Sequence, residues 1–225
     1  LEEFSGVPYT EVVIDDEKVL SLFNSPDALE LDPEKLKIKI ELGTLGIPEM
    51  GTNFVMNMLK ETRPSSISEL VRISGVSHGT DVWTGNAQKL IAEGTCTLSQ
   101  AICCRDDIML YLIKMGLEKK MAFTIMESVR KGKGLKPEWE EAMKANDVPD
   151  WYIESCKMIK YMFPKAHAVA YVVLSVRIAW YKLYHPLSYY SARFTLKADM
   201  FDAAAMIHGQ ERAYSRYLAL GSSGE

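Results

Sequence analysis

The chain has 225 residues, a formal net charge of −4, 48% hydrophobic residues and 25% charged residues. That balance excludes wholesale disorder and leaves room for one domain with a real core, or a domain with an attached flank. Neither the charge nor the composition is extreme enough to place the chain among fibrous, disulfide-rich or membrane-spanning classes.

The first 45 residues are polar and punctuated by Gly6-Val7-Pro8, Ser25-Pro26 and Asp32-Pro33. A short helix capped by Asp15 or Asp16 is expected over 17–23, and the alternation Lys-Ile-Lys-Ile-Glu-Leu over 37–42 predicts a short edge-like strand. This stretch reads as the fringe of a neighbouring domain.

From Gly46 the periodicity is helical. Phe54, Val55, Met58 and Leu59 share one face of a helix over 52–61. Ser66-Ile67-Ser68-Glu69 is a capping box opening a helix that Gly75 should end. Further helices are expected over 98–115, stopping at Gly116, and over 118–130, broken by Gly132 and Gly134. Pro137 and Pro149 each open a helix, over 138–144 and 150–162, and Pro164 opens the most apolar one, through 184, which His185-Pro186 closes. The count is seven or eight helices after residue 45. The tail, Leu-Gly-Ser-Ser-Gly-Glu, reads as flexible linker or cloning scar. The fold class is therefore mainly α: a multi-helix domain over 46–202, an irregular or extended flank over 1–45, and a C-terminal helix or linker remnant over 203–225.

The four cysteines, Cys96, Cys103, Cys104 and Cys156, lack CxxC or Cys/His ligand spacing. Without a signal-like N-terminus they read as reduced thiols of a cytoplasmic protein. Twelve scattered methionines suit core filling. The longest apolar run, 166–181, is broken by His167 and Arg177, which argues against a membrane span. Charge is segregated: residues 1–41 carry eleven acids against four lysines, while 157–193 carry Lys157, Lys160, Lys165, Arg177, Lys182 and Arg193 and no acid. This points to a polyanion-facing surface, with a solvated basic face as the alternative. Eleven of the twenty-two aromatics fall in 151–194; most should be core, though aromatics among cations can also stack bases.

Three constellations could carry chemistry. In Phe163-Pro164-Lys165-Ala166-His167-Ala168-Val169-Ala170-Tyr171, a proline-set helix start with a lysine can attract phosphate, and His167 and Tyr171 project from one face. A buried histidine and tyrosine in a core helix would look the same. In Ser128-Val129-Arg130-Lys131-Gly132-Lys133-Gly134, three cations among glycines could leave the backbone mobile enough to approach a phosphodiester chain, or could simply end a helix. In Arg72-Ile73-Ser74-Gly75-Val76-Ser77-His78-Gly79-Thr80-Asp81, small residues follow a helix and suit contact with a ligand or a backbone phosphate, and His78 is expected to face DNA. The adjacent carboxylates Asp106-Asp107 and Glu140-Glu141 fall in helices, where neighbouring side chains diverge by about 100°. They read as surface or ion-pair residues, so neither a catalytic residue nor a metal ligand is expected.

Together these segments resemble the C-family replicative polymerases, specifically the fingers of the PolC-type DNA polymerase III alpha subunit. The matching strings are Gly-Thr-Leu-Gly-Ile-Pro-Glu at 43–49, residues 70–83, Cys-Arg-Asp-Asp-Ile at 104–108, residues 125–134, and Tyr-Met-Phe-Pro-Lys-Ala-His-Ala at 161–168. The resemblance covers roughly 43–202. It implies a fingers fragment that binds incoming deoxynucleoside triphosphate and DNA primer–template. The metal-binding aspartates and their Mg2+ would lie in a palm upstream, so the fragment alone would bind no metal and be inactive. Carried over by position, Lys165, His167 and Tyr171 imply the nucleotide pocket. Phe163 and Ser74 imply its wall, where nucleotide-mimicking inhibitors act. Arg105, Arg130, Lys131 and Lys133 imply triphosphate or template contacts. The sliding clamp and other replisome subunits would be partners through the full-length protein, with no membrane. The competing reading is a non-enzymatic helical module for DNA binding or protein docking.

Overall fold

A computed structural model describes residues 1–32, 34–197 and 201–223. Pro33 of the expected Asp32-Pro33 turn, residues 198–200 near the end of the expected helical domain, and Gly224 and Glu225 of the expected linker lie outside the described residues. Among the described residues there are α-helices and short 3-10 turns but no strand. The expected mainly α class holds. The strand over 37–42 does not form: this backbone lies in bends and irregular chain without a ladder partner. The apolar positions 38, 40 and 42 do not share a face: Leu42 enters the core while Ile38 stays exposed.

The flank contains α1 (Glu2–Ser5) and α2 (Glu17–Ser21), the latter capped by Asp16, whose carboxylate accepts from Val19 N. Next come α3 (Asn53–Thr62) and α4 (Ile67–Ser77). Ser66 Oγ accepts from Glu69 N, but the reciprocal bond of the expected capping box goes from Ser65 N to Glu69 Oε2, at 2.7 Å. Gly75 does not end α4, which continues to Ser77. The glycine serves close packing instead: a Cβ there would come 2.4 Å from Cys104 Sγ and 2.6 Å from the Cys103 carbonyl oxygen.

A π-turn (Trp83–Ala87) leads into α5 (Gln88–Ala92). Helix α6 (Arg105–Lys114) starts seven residues later than periodicity suggests. Asp107 turns its carboxylate back onto the N–H groups of Cys103 and Cys104, and Arg72 Nη1 takes the Ala101 carbonyl at 3.4 Å, so 98–104 stays in turns. Helices α7 (Lys119–Val129), α8 (Pro137–Ala145) and α9 (Asp150–Met158) follow. Glu118 caps α7 through Lys120 N and Met121 N. The chain beyond Met158 leaves the helix because Lys160 and Tyr161 are recruited into a backbone bridge with Thr80.

The long helix α10 (Lys165–Tyr184) is the axis of the molecule. It buries Ala168, Val172, Ser175, Val176 and Ala179 in a stripe and packs on α4, α2 and α11 (Pro186–Leu196). Each large apolar side chain so buried contributes about 1.5–3 kcal/mol. The last helices are α12 (Ala203–Met206) and α13 (Gln210–Ser223). Eleven helices thus follow residue 45 among the described residues, against the seven or eight expected. Residues 220–223, read as linker, continue α13.

The flank shares the main core through Val19, Leu22, Phe23 and Leu42. Lys182 Nζ fastens it by donating to the carbonyls of Gly43 and Leu45, both at 2.7 Å, and Tyr181 Oη donates to Val7 O. All four cysteines are unbonded and buried, and burial pushes the Cys104 thiol up to about 12. Met50, Met58, Met126, Met143 and Met162 fill the core, whereas Met158 and Met206 are exposed. Among the described residues no helix is long and apolar enough to cross a membrane.

Candidate functional site

The end of α4 and the start of α10 meet through backbone. Thr80 N donates to Tyr161 O at 2.9 Å, and Lys160 N and Tyr161 N donate back to Thr80 O. Gly79 permits this approach, since a Cβ there would sit 2.4 Å from Val82 Cγ2 and 3.0 Å from the Tyr161 carbonyl oxygen. The start of α6 joins through Arg105 N, which donates to Phe163 O at 3.2 Å. Three helix ends therefore converge on Phe163.

On that scaffold lies a layer of near-parallel rings. His78 is 4.6 Å from Phe163 at 21°, and 5.5 Å from Tyr171 at 9°; Phe163 and Tyr171 are 5.8 Å apart at 16°. Offset stacking of this kind is the favoured geometry for ring quadrupoles. His167 stands beside it, tilted, at 5.9 Å from Phe163. His167 and Tyr171 are exposed and Phe163 is half-buried, so the layer opens to solvent. The core-histidine reading of His167 is thus not what the structure has. His78, expected with the DNA-facing cations, sits in this ring layer instead: Nδ1 is 2.8 Å from Ser74 O and Nε2 is 2.9 Å from Glu49 Oε2. Ser74 itself is buried, and its hydroxyl has no hydrogen-bond partner.

Electrostatics at the start of α10 are set by α6. Lys165 N donates to Asp106 Oδ2 at 2.8 Å, and Lys165 Nζ reaches Asp107 Oδ1 at 3.2 Å. Asp107 also faces Arg72 at 3.7 Å. Arg105 Nε is buried without a hydrogen-bond partner, 3.9 Å from Asp106. Both aspartates are thus spent on cations and N–H groups. Glu140 pairs with Lys157 at 2.7 Å, and Glu141 is exposed. Among the described residues no group of three or more His, Cys, Asp or Glu is placed to hold a metal.

The glycine-rich segment 128–134 is pinned, not open. Gly132 (φ 69°) lies against the Lys160 backbone, where a Cβ would meet the carbonyl oxygen at 2.5 Å. Lys133 N donates to Ser128 O, Ser128 Oγ to Gly134 O, and Met162 N to Arg130 O. Glu127 pairs with both Arg130 and Lys131. Lys133 is exposed. Nor do the six cations of 157–193 form one surface. Lys157 and Lys165 are paired with acids, Lys182 is buried, Arg193 donates to Gly46 O, Arg177 lies over the Tyr9 ring at 4.9 Å, and Lys160 is exposed.

Residues 3–147 match the family model described as the bacterial DNA polymerase III alpha subunit finger domain. The chain is 55% identical over its full length to a protein of Bacillus cereus named DNA polymerase III PolC-type. It is 58% identical over 93% of its length to the protein of that name in Bacillus subtilis, and 53% identical over 98% to that in Staphylococcus aureus. The chain belongs to the PolC-type DNA polymerase III family and is its fingers region. It spans 14–16% of the length of these relatives. The likeness runs further than 43–202: the family match starts at residue 3, and the Bacillus cereus protein aligns across the whole chain, flank and tail included.

One residue that sequence reasoning passed over stands at the site. Glu49 lies in the 43–49 string only as part of the resemblance, yet it holds His78 from 29 positions away. Its positive φ of 64° has no sequence signal, since glycine or asparagine would mark such a position.

Proposed function

We propose that the chain forms the nucleotide- and template-facing fingers of a replicative DNA polymerase, and that the full-length protein carries out DNA-directed DNA synthesis in the cytoplasm. The observation that carries the reading is the open layer of Phe163, His78 and Tyr171 beside His167 and Lys165. A flat aromatic layer can take a nucleobase or sugar by stacking, while a cation and the first-turn N–H groups of a helix favour phosphate. Phe163 and Ser74 would wall the pocket, and Arg105 and Lys165 would face the triphosphate. A bound triphosphate competes with Asp106 and Asp107 for Lys165, which favours the intact nucleotide over weaker anions. Arg130, Lys131 and Lys133 would follow the primer–template backbone, with Lys133 the cation left unneutralised by Glu127.

Nucleotidyl transfer by two magnesium ions needs closely placed carboxylates turned toward the metals. Asp106 and Asp107 are turned toward N–H groups and cations instead, so these residues do not fit that centre. Magnesium would be held by the palm of the full-length protein, through which the sliding clamp and other replisome subunits would also be engaged. The fingers hold, orient and screen the nucleotide.

The test is a titration of labelled primer–template with the chain, with and without deoxynucleoside triphosphate, at two salt concentrations. Binding should weaken steeply with salt and tighten with nucleotide. Absent or salt-insensitive binding would contradict the template-facing role.

A further inference from the structure

The loop that delivers Glu49 is held on every side. Ile47 N donates to Thr44 O, Gly51 N to Ile47 O, and Ser175 Oγ of α10 shares its proton between Pro48 O at 3.0 Å and Tyr171 O at 2.9 Å. Gly51 has no room for a side chain: a Cβ would fall 2.6 Å from Thr44 O. Within this frame Met50 N donates to Pro48 O at 2.7 Å, closing a three-residue turn around Glu49 at φ 64°. A non-glycine residue at the centre of a turn with positive φ is rare and strained. Nothing in the turn asks for glutamate, and glycine would relieve the strain. What the glutamate does is reach His78 Nε2 at 2.9 Å.

Ser74 O, which can only accept, holds the other ring nitrogen at 2.8 Å. Both ring nitrogens thus have an oxygen partner, one a main-chain carbonyl of α4 and the other the Glu49 carboxylate. The two anchors leave the ring no free rotation about χ2 and press it parallel to Phe163 and Tyr171.

We propose that Glu49 is a positioning residue: its carboxylate, delivered from a strained turn, fixes the plane of His78 and thereby aligns the ring layer that receives the nucleotide. This rests on the reading of that layer as the nucleotide pocket. Glu49 touches no substrate; it acts through His78.

The experiment uses the full-length polymerase and steady-state incorporation of a single deoxynucleoside triphosphate on a defined primer–template, comparing Glu49→Gly, Glu49→Gln, Phe163→Ala and wild type. Glu49→Gly relieves the turn, so the thermal midpoint should hold or rise. Its KM for the nucleotide should still increase by about tenfold, with a smaller change in kcat, because a loosened positioning group costs binding geometry. Glu49→Gln keeps an acceptor for His78 and should restore KM to within about twofold of wild type. If Glu49→Gly leaves KM unchanged while Phe163→Ala raises it, the pocket stands and the positioning role falls. If neither variant changes KM, the pocket reading itself fails. A Glu49→Gly enzyme whose KM and thermal midpoint both worsen, with no rescue by glutamine, would make Glu49 merely structural.

Discussion

Glu127 faces two cations at once. Hydrogen bonds from Arg130 and then Lys131 hold its carboxyl down to about 2, below the ordinary value of 4.5. The folded value is the lower one, so the stabilisation is complete above pH 4.5 and drains away as pH falls toward 2. The carboxylate is about a quarter exposed, so solvent screening leaves roughly 1 kcal/mol or less. Glu127→Gln should therefore lower the urea midpoint at pH 6 and make no difference near pH 2; an equal deficit at both would mean the charge is irrelevant. Residue-level placement was only partly legible. Phe163, Lys165, His167 and Tyr171 lie within nine positions, and a proline-started helix brings them together from sequence alone. The partner of His78 could not be read, because Glu49 is 29 residues away and its backbone conformation carries no composition signal. The cations of 157–193 misled for a similar reason: the acids and carbonyls that occupy Lys165 and Lys182 come from 107 and from 43 and 45.

At the scale of elements, locally capped helix starts were legible, while the start of α6, set by Asp107 and Arg72, was missed by seven residues. Asp16, Thr52, Ser66 and Glu118 each satisfy N–H groups within three residues, a local transaction visible in sequence. Ends depended on distant chain: α9 stops where the Thr80 bridge captures 160–161, and Gly75 lies inside α4 as a packing glycine against Cys103 and Cys104, not as a terminator. Gly75→Ala tests the second point. Alanine is the better helix former by about 1 kcal/mol, so a glycine kept only by chance would make the substitution stabilising. Overpacking against the Cys103–Cys104 backbone should win and cost about 1–3 kcal/mol. A lowered midpoint in urea unfolding is the expected result, and a raised one would remove the close contact from the account.

At the scale of the molecule, the flank, the helical body and the open ring layer are one structure organised on α10. Lys182 shows how tightly. Burial, with Arg193 nearby, lowers its ammonium to about 8, a cost accepted where two carbonyls of the flank are satisfied in return. The same helix carries Lys165, His167 and Tyr171 at one end, so whatever sets its axis sets the ring layer. The central claim is that this layer receives the incoming nucleotide. Its most direct measurement is the nucleotide concentration dependence of single-turnover incorporation by the full-length polymerase carrying His167→Ala. The account predicts an apparent Kd for the nucleotide raised about tenfold or more, equivalent to about 1.4 kcal/mol, with primer–template affinity unchanged. An unchanged nucleotide Kd, or a loss confined to primer–template binding, would contradict it.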